Sequence, residues 1–259
     1  MINWNGAVIV ITGASSGIGA LVAQYAAEKG AYPVLAARSI DKLQQVSAKI
    51  AAPHECIQMD VTAADDVAQQ IAKIVDQHGR IDVLINNAGY GRFESFIDLP
   101  LDQFEAMMDV NYMGIVRCTK AVLPSMLKRG SGHIVNIASM AGKVGSAKST
   151  AYAATKHAVL GFTNSLRMEL QGSGIAVSAV NPGPIDTPFF ETADPTGQYK
   201  RNLGSFILPA EKVANRIIRV IETREPEVNM PWAAAAGSKL MQLFPRLTNR
   251  AATKILNKK

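Results

Sequence analysis

Several things are scarce in this chain, and each shortage removes a class of explanation. Two cysteines in 259 residues, Cys56 and Cys118, lie inside apolar patterns without CxxC spacing, so they read as buried free thiols rather than a disulfide framework or metal site. Four histidines, His54, His78, His133 and His157, form no HExxH or similar cluster, and no metal is assigned. No apolar run approaches the roughly 18 residues of a spanning helix, and the start MINWNGAVIVITG has neither a basic leader nor a cleavage site. A soluble, cytoplasmic chain is expected, at most peripheral to a membrane. Repeats, low-complexity tracts and Pro-, Gly- or Ser-rich linkers are also missing, which leaves one domain over residues 1–259. With 48% hydrophobic and 19% charged residues the chain can bury a core, which excludes disorder.

Anions are missing from one place. Glu227 is the last of them, and beyond it stand Lys239, Arg246, Arg250, Lys254, Lys258 and Lys259. The other 21 basic side chains match the 21 acidic ones, so the body is neutral and residues 231–259 form a basic extension carrying the whole net charge of +6. A neutral body without a recognised module speaks against a nucleic-acid binder.

What is present is an alternation. Short β-branched runs (AVIVIT from residue 7, YPVLAA from 32, ECIQMD from 55, DVLINN from 82, HIVNIAS from 133, AVSAVNP from 176) are separated by longer amphipathic stretches, including one continuous pattern, FEAMMDVNYMGIVRCTKAVLPSMLKRG. Gly30, Gly79, Gly130 and Gly172 mark helix ends. Strand and helix in turn predict an α/β Rossmann fold, a doubly wound parallel sheet with helices on both faces, which binds ligands at the carboxyl ends of its strands. Between the first strand and first helix stand Gly13, Gly17 and Gly19, where backbone can approach a pyrophosphate and a helix N-terminus offers free N–H groups. At the end of the second strand an acid would suit NAD; Arg38 stands there instead, able to fork onto a 2′-phosphate, with Ser15 and Ser39 as hydroxyl donors. NADP(H) is the expected cofactor. In STAYAATKHAVLGF, Tyr152 and Lys156 are four apart, on one helix face, where an ammonium would lower the phenol's pKa towards useful acid–base chemistry.

These features together resemble the short-chain dehydrogenases/reductases (SDR), over nearly the whole length. The likeness rests on TGASSGIG (Thr12–Gly19), MDV, NNAG (Asn86–Gly89), VNYMG, NIASMAG, the Tyr152/Lys156 pair and NPGPIDT, in that order. It implies cofactor contacts from Gly13, Ser15, Ser16, Gly17, Ile18 and Gly19, from Asp60 and Val61 at the adenine, from Asn87, Ala88 and Gly89, and from Tyr152 and Lys156 themselves. It also implies that Pro182, Gly183, Ile185 and Thr187 hold the carboxamide. The implied catalytic tetrad is Asn111, Ser139, Tyr152 and Lys156. Tyr152 would give or take the proton, Ser139 would hydrogen-bond the reacting oxygen, Lys156 would tune Tyr152 and bind ribose, and Asn111 would position a relay water. The expected activity is NADP(H)-dependent hydride transfer to a carbonyl or from a secondary alcohol, by a homodimer or homotetramer. The alternative is a non-catalytic NADP-binding sensor on the same fold; the complete tetrad speaks against it.

After Thr187 a stretch without clear periodicity, residues 188–208, precedes a helix opening near Pro209. A segment of this length in a compact domain suggests a substrate lid. Phe189, Phe190, Tyr199 and Phe206 would form it, with Tyr90, Arg92, Phe93, Met140 and Val144 opposite, favouring a hydrophobic substrate. Met107, Met108 and Met113 read as core or subunit contacts. The ending PEVNMPWAAAAGSKLMQLFPRLTNRAATKILNKK lacks the strand and VDGG-like finish of many tetrameric relatives, and is more similar to 11β-hydroxysteroid dehydrogenase-like and related bacterial oxidoreductases. Trp232, Leu240, Leu243, Phe244, Leu247, Ile255 and Leu256, interleaved with the six cations, would either pack on the body or a partner subunit or lie on anionic lipid.

Overall fold

In the computed structural model, which describes residues 2–244, the order of elements follows the apolar runs. Strands β1 (Val8–Thr12), β2 (Tyr32–Ala37), β3 (Glu55–Gln58), β4 (Val83–Asn86), β5 (Gly132–Ile137), β6 (Ile175–Pro182) and β7 (Glu227–Met230) form one sheet in the order β3-β2-β1-β4-β5-β6-β7. Every pairing is parallel. A parallel sheet covered on both faces needs strands apolar almost throughout, and β1 and β5 are buried at every position. The strand order reverses between β1 and β4, which opens a crevice at their carboxyl ends.

Helices α1 (Gly17–Glu28), α2 (Ile40–Ser47) and α9 (Ala210–Thr223) line one face, and α3 (Ala64–His78), α5 (Gly114–Arg129) and α6 (Thr150–Glu169) the other. Their apolar spacing explains the assignment. In α9, Val213, Ala214, Ile217, Ile218 and Ile221 recur at helical period and are buried against α1, whose own contact face is the small-residue row Ala23, Ala26 and Ala27. Gly79 and Gly130 close α3 and α5 with left-handed backbone, as their positions in the sequence predict.

Four expectations are corrected. The long amphipathic pattern from Phe104 breaks into α4 (Leu101–Met108), a π turn at Asp109–Met113 and α5. Gly172 does not close α6, which ends at Glu169; it lies in the turn leading to β6. The terminal strand is present as β7, so the departure from the VDGG-ended relatives begins only after Met230. Cys118 is buried as expected, but Cys56 is only half-buried, with its thiol on the Leu43 carbonyl.

Residues 188–208 are not structureless either. They hold α7 (Phe189–Ala193), α8 (Gln198–Leu203) and a 3-10 turn at Gly204–Phe206. The segment leaves and returns at one place: Ile185 and Leu208 form a parallel bridge, Asp186 N–H donates to the Leu208 carbonyl (3.0 Å) and Leu208 N–H to that of Pro184 (2.8 Å). After β7 comes α10 (Trp232–Leu243), on which Trp232, Leu240 and Leu243 are exposed, followed by exposed Phe244. Leu247, Ile255, Leu256 and the cations from Arg246 onward lie outside the described residues. No helix among the described residues is long and apolar enough to cross a membrane.

Candidate active site

The crevice is built by two turns fastened to each other. Thr12, the last residue of β1, accepts hydrogen bonds at Oγ1 from the backbone N–H groups of Asn87 and Ala88, both at 3.0 Å, and Asn87 Nδ2 returns bonds to the carbonyls of Thr12 (3.0 Å) and Gly13 (3.1 Å). The TGASSGIG turn and the NNAG turn therefore hold one another with little side-chain freedom. Asn86 points the other way, donating to Asn136 (2.8 Å) and Thr119 (3.3 Å) within the core.

The glycine turn suits a dinucleotide on grounds of geometry. Helix α1 starts at Gly17, and its N-cap, Ser16, is extended and makes no side-chain capping bond. With no acid in the first turn, the N–H groups of Gly17, Ile18 and Gly19 keep their pull on an anion. Gly17 has φ +55°, and a β-carbon there would lie 3.4 Å from the Thr187 side chain, so the start of α1 and the NPGPIDT segment face each other across the crevice. Ser15 is half-buried and Ser16 exposed at the same turn. Arg38 is exposed at the end of β2, while Ser39 caps α2 by accepting from Lys42 N–H. Burial raises the pKa of Tyr90, and the guanidinium groups of Arg38 and Arg92 oppose it, so this phenol feels both. Asp60 is half-buried after β3, with Oδ1 taken by the N–H and hydroxyl of Thr62, and Val61 is buried beside it.

The four tetrad candidates come together beneath this crevice. Ser139 follows β5; its Oγ accepts from Ala141 N–H (3.1 Å) and lies 3.3 Å from the Pro182 carbonyl, which ties it to the end of β6. Tyr152 and Lys156 share one face of α6, and Lys156 Nζ stands 5.7 Å from the centre of the Tyr152 ring. Asn111 is fully buried in the π turn, a one-residue irregularity that aims its side chain inward. Its Oδ1 accepts from Tyr90 N–H (2.9 Å), and its Nδ2 donates to the Tyr90 carbonyl (2.8 Å) and to Thr155 Oγ1 (3.1 Å). Thr155 in turn donates to the Tyr152 carbonyl at 2.8 Å. Thr155 was not singled out from sequence, although its place three residues after Tyr152, on the same helix face, was a signal.

Protonation differs from the sequence expectation. Tyr152 is 9% exposed, and burial pushes its pKa up to about 12, with a hydrogen bond to Ser139 opposing and Tyr199 adding to the rise. Burial is the largest influence on the phenol, not the nearby Lys156, whose Nζ donates to the Ile137 carbonyl at 2.9 Å and whose own pKa burial brings down to about 8.

Aromatic rings form the outer wall. Phe93 meets Tyr152 (5.9 Å between centres), Phe189 (6.3 Å) and Tyr199 (5.1 Å); Phe190 meets Phe189 (5.8 Å) and Tyr199 (6.0 Å); and Phe189 meets Tyr152 at 5.6 Å. Phe93 N–H also donates to the Ala193 carbonyl at 2.8 Å. Phe206 is 65% exposed. Met140 and Val144 are half-buried at and just after the turn that follows Ser139.

Comparison with known proteins gives a consistent result. The short chain dehydrogenase family profile matches residues 7–197. An uncharacterized oxidoreductase of Staphylococcus haemolyticus is 37% identical over 89% of this chain and 96% of its own. A short chain dehydrogenase/reductase from Burkholderia phymatum, solved in complex with NAD, superposes with a TM-score of 0.89 at 26% identity, over 96% of this chain and 97% of that one. The closed form of a serine dehydrogenase complexed with NADP+ superposes with a TM-score of 0.81 at 28% identity, covering 86% and 94%.

Proposed function

The chain belongs to the short chain dehydrogenase family and is an oxidoreductase of alcohols and ketones, and from that premise we propose that it reduces an apolar ketone, or oxidises the matching secondary alcohol, with NADP(H). The observation that carries the reading is the buried Tyr152 phenol, close enough to Ser139 to feel its hydroxyl and one helical turn from Lys156, at the floor of the crevice. Burial keeps the phenol protonated, the form that carbonyl reduction draws on, and giving up that proton requires the phenolate to be stabilised as it forms. When bound, the dinucleotide supplies hydride to the carbonyl carbon or takes it from the alcohol. Tyr152 gives its phenolic proton to the oxygen that receives the C=O electron pair, or removes the alcohol proton in the other direction. Ser139 hydrogen-bonds the same oxygen as charge grows on it. Lys156, cationic below about pH 8, lies behind the phenol to steady the phenolate left after transfer. Asn111 holds the Tyr90 backbone beside Lys156 and, through Thr155, the helix that carries Tyr152.

Gly13 to Gly19 would hold the pyrophosphate, Asp60 and Val61 the adenine, Asn87 to Gly89 the adjoining ribose, and Pro182, Gly183, Ile185 and Thr187 the carboxamide. Arg38, exposed at the end of β2 where an acid would favour NAD, supports the choice of NADP(H). Residues 1–259 form one domain in this reading, with 188–208 as its lid and 231–259 as a basic extension. The exposed apolar residues of α10 are left uncovered by the described body, which supports a contact with a second copy; anionic lipid is the competing occupant. Vesicle sedimentation at low salt separates them, since only the lipid reading brings the protein down and spares a chain ending at Met230.

Replacing Tyr152 by Phe tests the central assignment. Turnover of an apolar ketone with NADPH is expected to fall by about 10²–10⁴-fold, while NADPH affinity stays at the wild-type value. A Phe variant that turns over as fast as wild type would overturn the reading.

A further inference from the structure

Five rings close a circuit around the candidate proton donor, from Tyr152 to Phe93, Tyr199, Phe190, Phe189 and back to Tyr152. They do not have equal standing. Phe190 is buried at 5% exposure, and Phe93 is tied through its backbone N–H to Ala193. Tyr199 lies on α8, whose start is fixed by Asp194: Oδ2 accepts from Lys200 N–H (2.9 Å) and Oδ1 from the Thr196 hydroxyl (3.0 Å). Phe189 is the first residue of the five-residue α7, is only half-buried, and packs directly on the Tyr152 ring.

Gly91 shows how closely Phe189 is seated. This buried glycine lies beneath both rings: a β-carbon on it would stand 2.8 Å from Phe189 Cζ and 3.2 Å from Tyr152 Cδ2. Its φ lies outside the left-handed region, so the absence of a side chain here is a matter of space. The space is a slot bounded by Gly91, the Tyr152 ring and the edges of Phe93 and Phe190, and the Phe189 ring fills it.

A ketone must bring its carbonyl oxygen to the Tyr152 hydroxyl, so whatever lies against the Tyr152 ring competes with the group attached to that carbonyl. We propose that Phe189 is a stand-in for substrate: it occupies the seat of the ketone's apolar group, and the slot it vacates selects a flat six-membered ring over an extended chain. The inference rests on the ketone-reductase reading above and deepens it. An aryl group entering the slot remakes the edge contacts with Phe93, Tyr152 and Phe190 that the Phe189 ring gives up, so the exchange is nearly balanced. A straight alkyl chain displaces the same ring and recovers none of those contacts.

Equilibrium binding separates an occupant from a wall. Acetophenone and 2-octanone, both with eight carbons, are titrated calorimetrically into the full chain saturated with NADP+, where no reduction can occur. For Phe189→Ala, both ketones are expected to tighten by about tenfold, because neither then has to expel a ring, while acetophenone stays the tighter ligand in both proteins because it alone remakes the edge contacts. Gly91→Ala, whose new β-carbon intrudes on the slot, is expected to weaken acetophenone by about tenfold and leave 2-octanone within about twofold. If Phe189→Ala weakens acetophenone or leaves it unchanged, Phe189 is a wall of the pocket and the proposal fails; equal effects of Gly91→Ala on the two ketones, or a wild type that binds 2-octanone as tightly as acetophenone, overturn the ring selectivity. Turnover of acetophenone by wild type with NADPH is a separate readout. Its absence, with the binding changes as expected, would sink the reductase reading and leave the assignment of the slot standing.

Discussion

The two sides of the crevice are held by different forces. On the cofactor side, Thr12 and Asn87 fasten two turns with four hydrogen bonds between 3.0 and 3.1 Å, almost all to backbone. On the substrate side, Phe189 and Tyr199 of residues 188–208 meet Phe93 and Tyr152 through rings 5.1 to 6.3 Å apart between centres. Hydrogen bonds to buried backbone are directional and costly to leave unmade, whereas ring contacts tolerate sliding and exchange. The cofactor side suits a ligand of fixed shape, and the substrate side suits one that has to enter and leave.

The strongest way to break this contrast is to loosen the polar side. Thr12→Val keeps the shape of the side chain and leaves the N–H groups of Asn87 and Ala88 without their acceptor; a loss of about 3 kcal/mol is expected, with dinucleotide affinity falling in parallel. At this chain length that corresponds to a drop in Tm of roughly 6–12 °C by calorimetry, and an unchanged Tm would show that the fastening is dispensable.

Next in size, Arg38→Asp exchanges a phosphate-seeking cation for a ribose-seeking carboxylate. Because Arg38 is exposed, Tm should not move, but the ratio of NADPH to NADH affinity should fall by about 30-fold in cofactor titrations, the worth of a charge-assisted contact. A wild type that prefers NADH contradicts the assignment at once.

On the apolar side, Phe93→Ala removes three ring contacts. Local opening should increase while global stability changes by no more than about 1 kcal/mol, so limited proteolysis within 188–208 is expected to speed up about fivefold with nearly the same Tm. Loss of global stability instead would mean that this segment is part of the main cooperative unit.

The smallest effect is a shift in pH dependence. Burial holds Lys156 down at about 8 from 10.5, so the unfolded chain binds more protons between those values. The cost of burying Lys156 is therefore full below about pH 8 and fades as pH rises to 10.5. In Phe93→Ala the site admits more water, and the limb of the pH–rate profile belonging to Lys156 should move upward from about 8. A limb that stays in place would assign it to another group.

Much of this architecture could be read from the chain itself. The first six strands were visible because buried parallel strands are apolar on both faces; the turn glycines, Arg38 and the Tyr152–Lys156 pair were visible from their spacing, and the other residues of the crevice through the family resemblance. Strand β7 was missed because Glu227–Met230 is short, contains two polar residues and sits between Pro226 and Pro231, so it carries no periodicity of its own. The π turn around Asn111 is invisible to a reading based on a period of 3.6, since one inserted residue changes the face but not the composition. Protonation of Tyr152 was misread for another reason. Spacing places Lys156 near it, but burial prevails, and that burial comes in part from rings that arrive from residues 93 and 189.

The pairing of Ile185 with Leu208 carries a consequence for how such a scaffold diversifies. Two posts joined by a bridge and by bonds from Asp186 and Leu208 close a loop at its base, so the sheet feels the same anchor whatever runs between them. Loop-closure entropy grows only slowly with length, which makes the intervening residues an interchangeable cassette. Transplanting a foreign segment between Thr187 and Leu208 should alter which ketones are accepted and leave dinucleotide binding intact, giving one catalytic floor access to many substrates by replacement of a single stretch of chain.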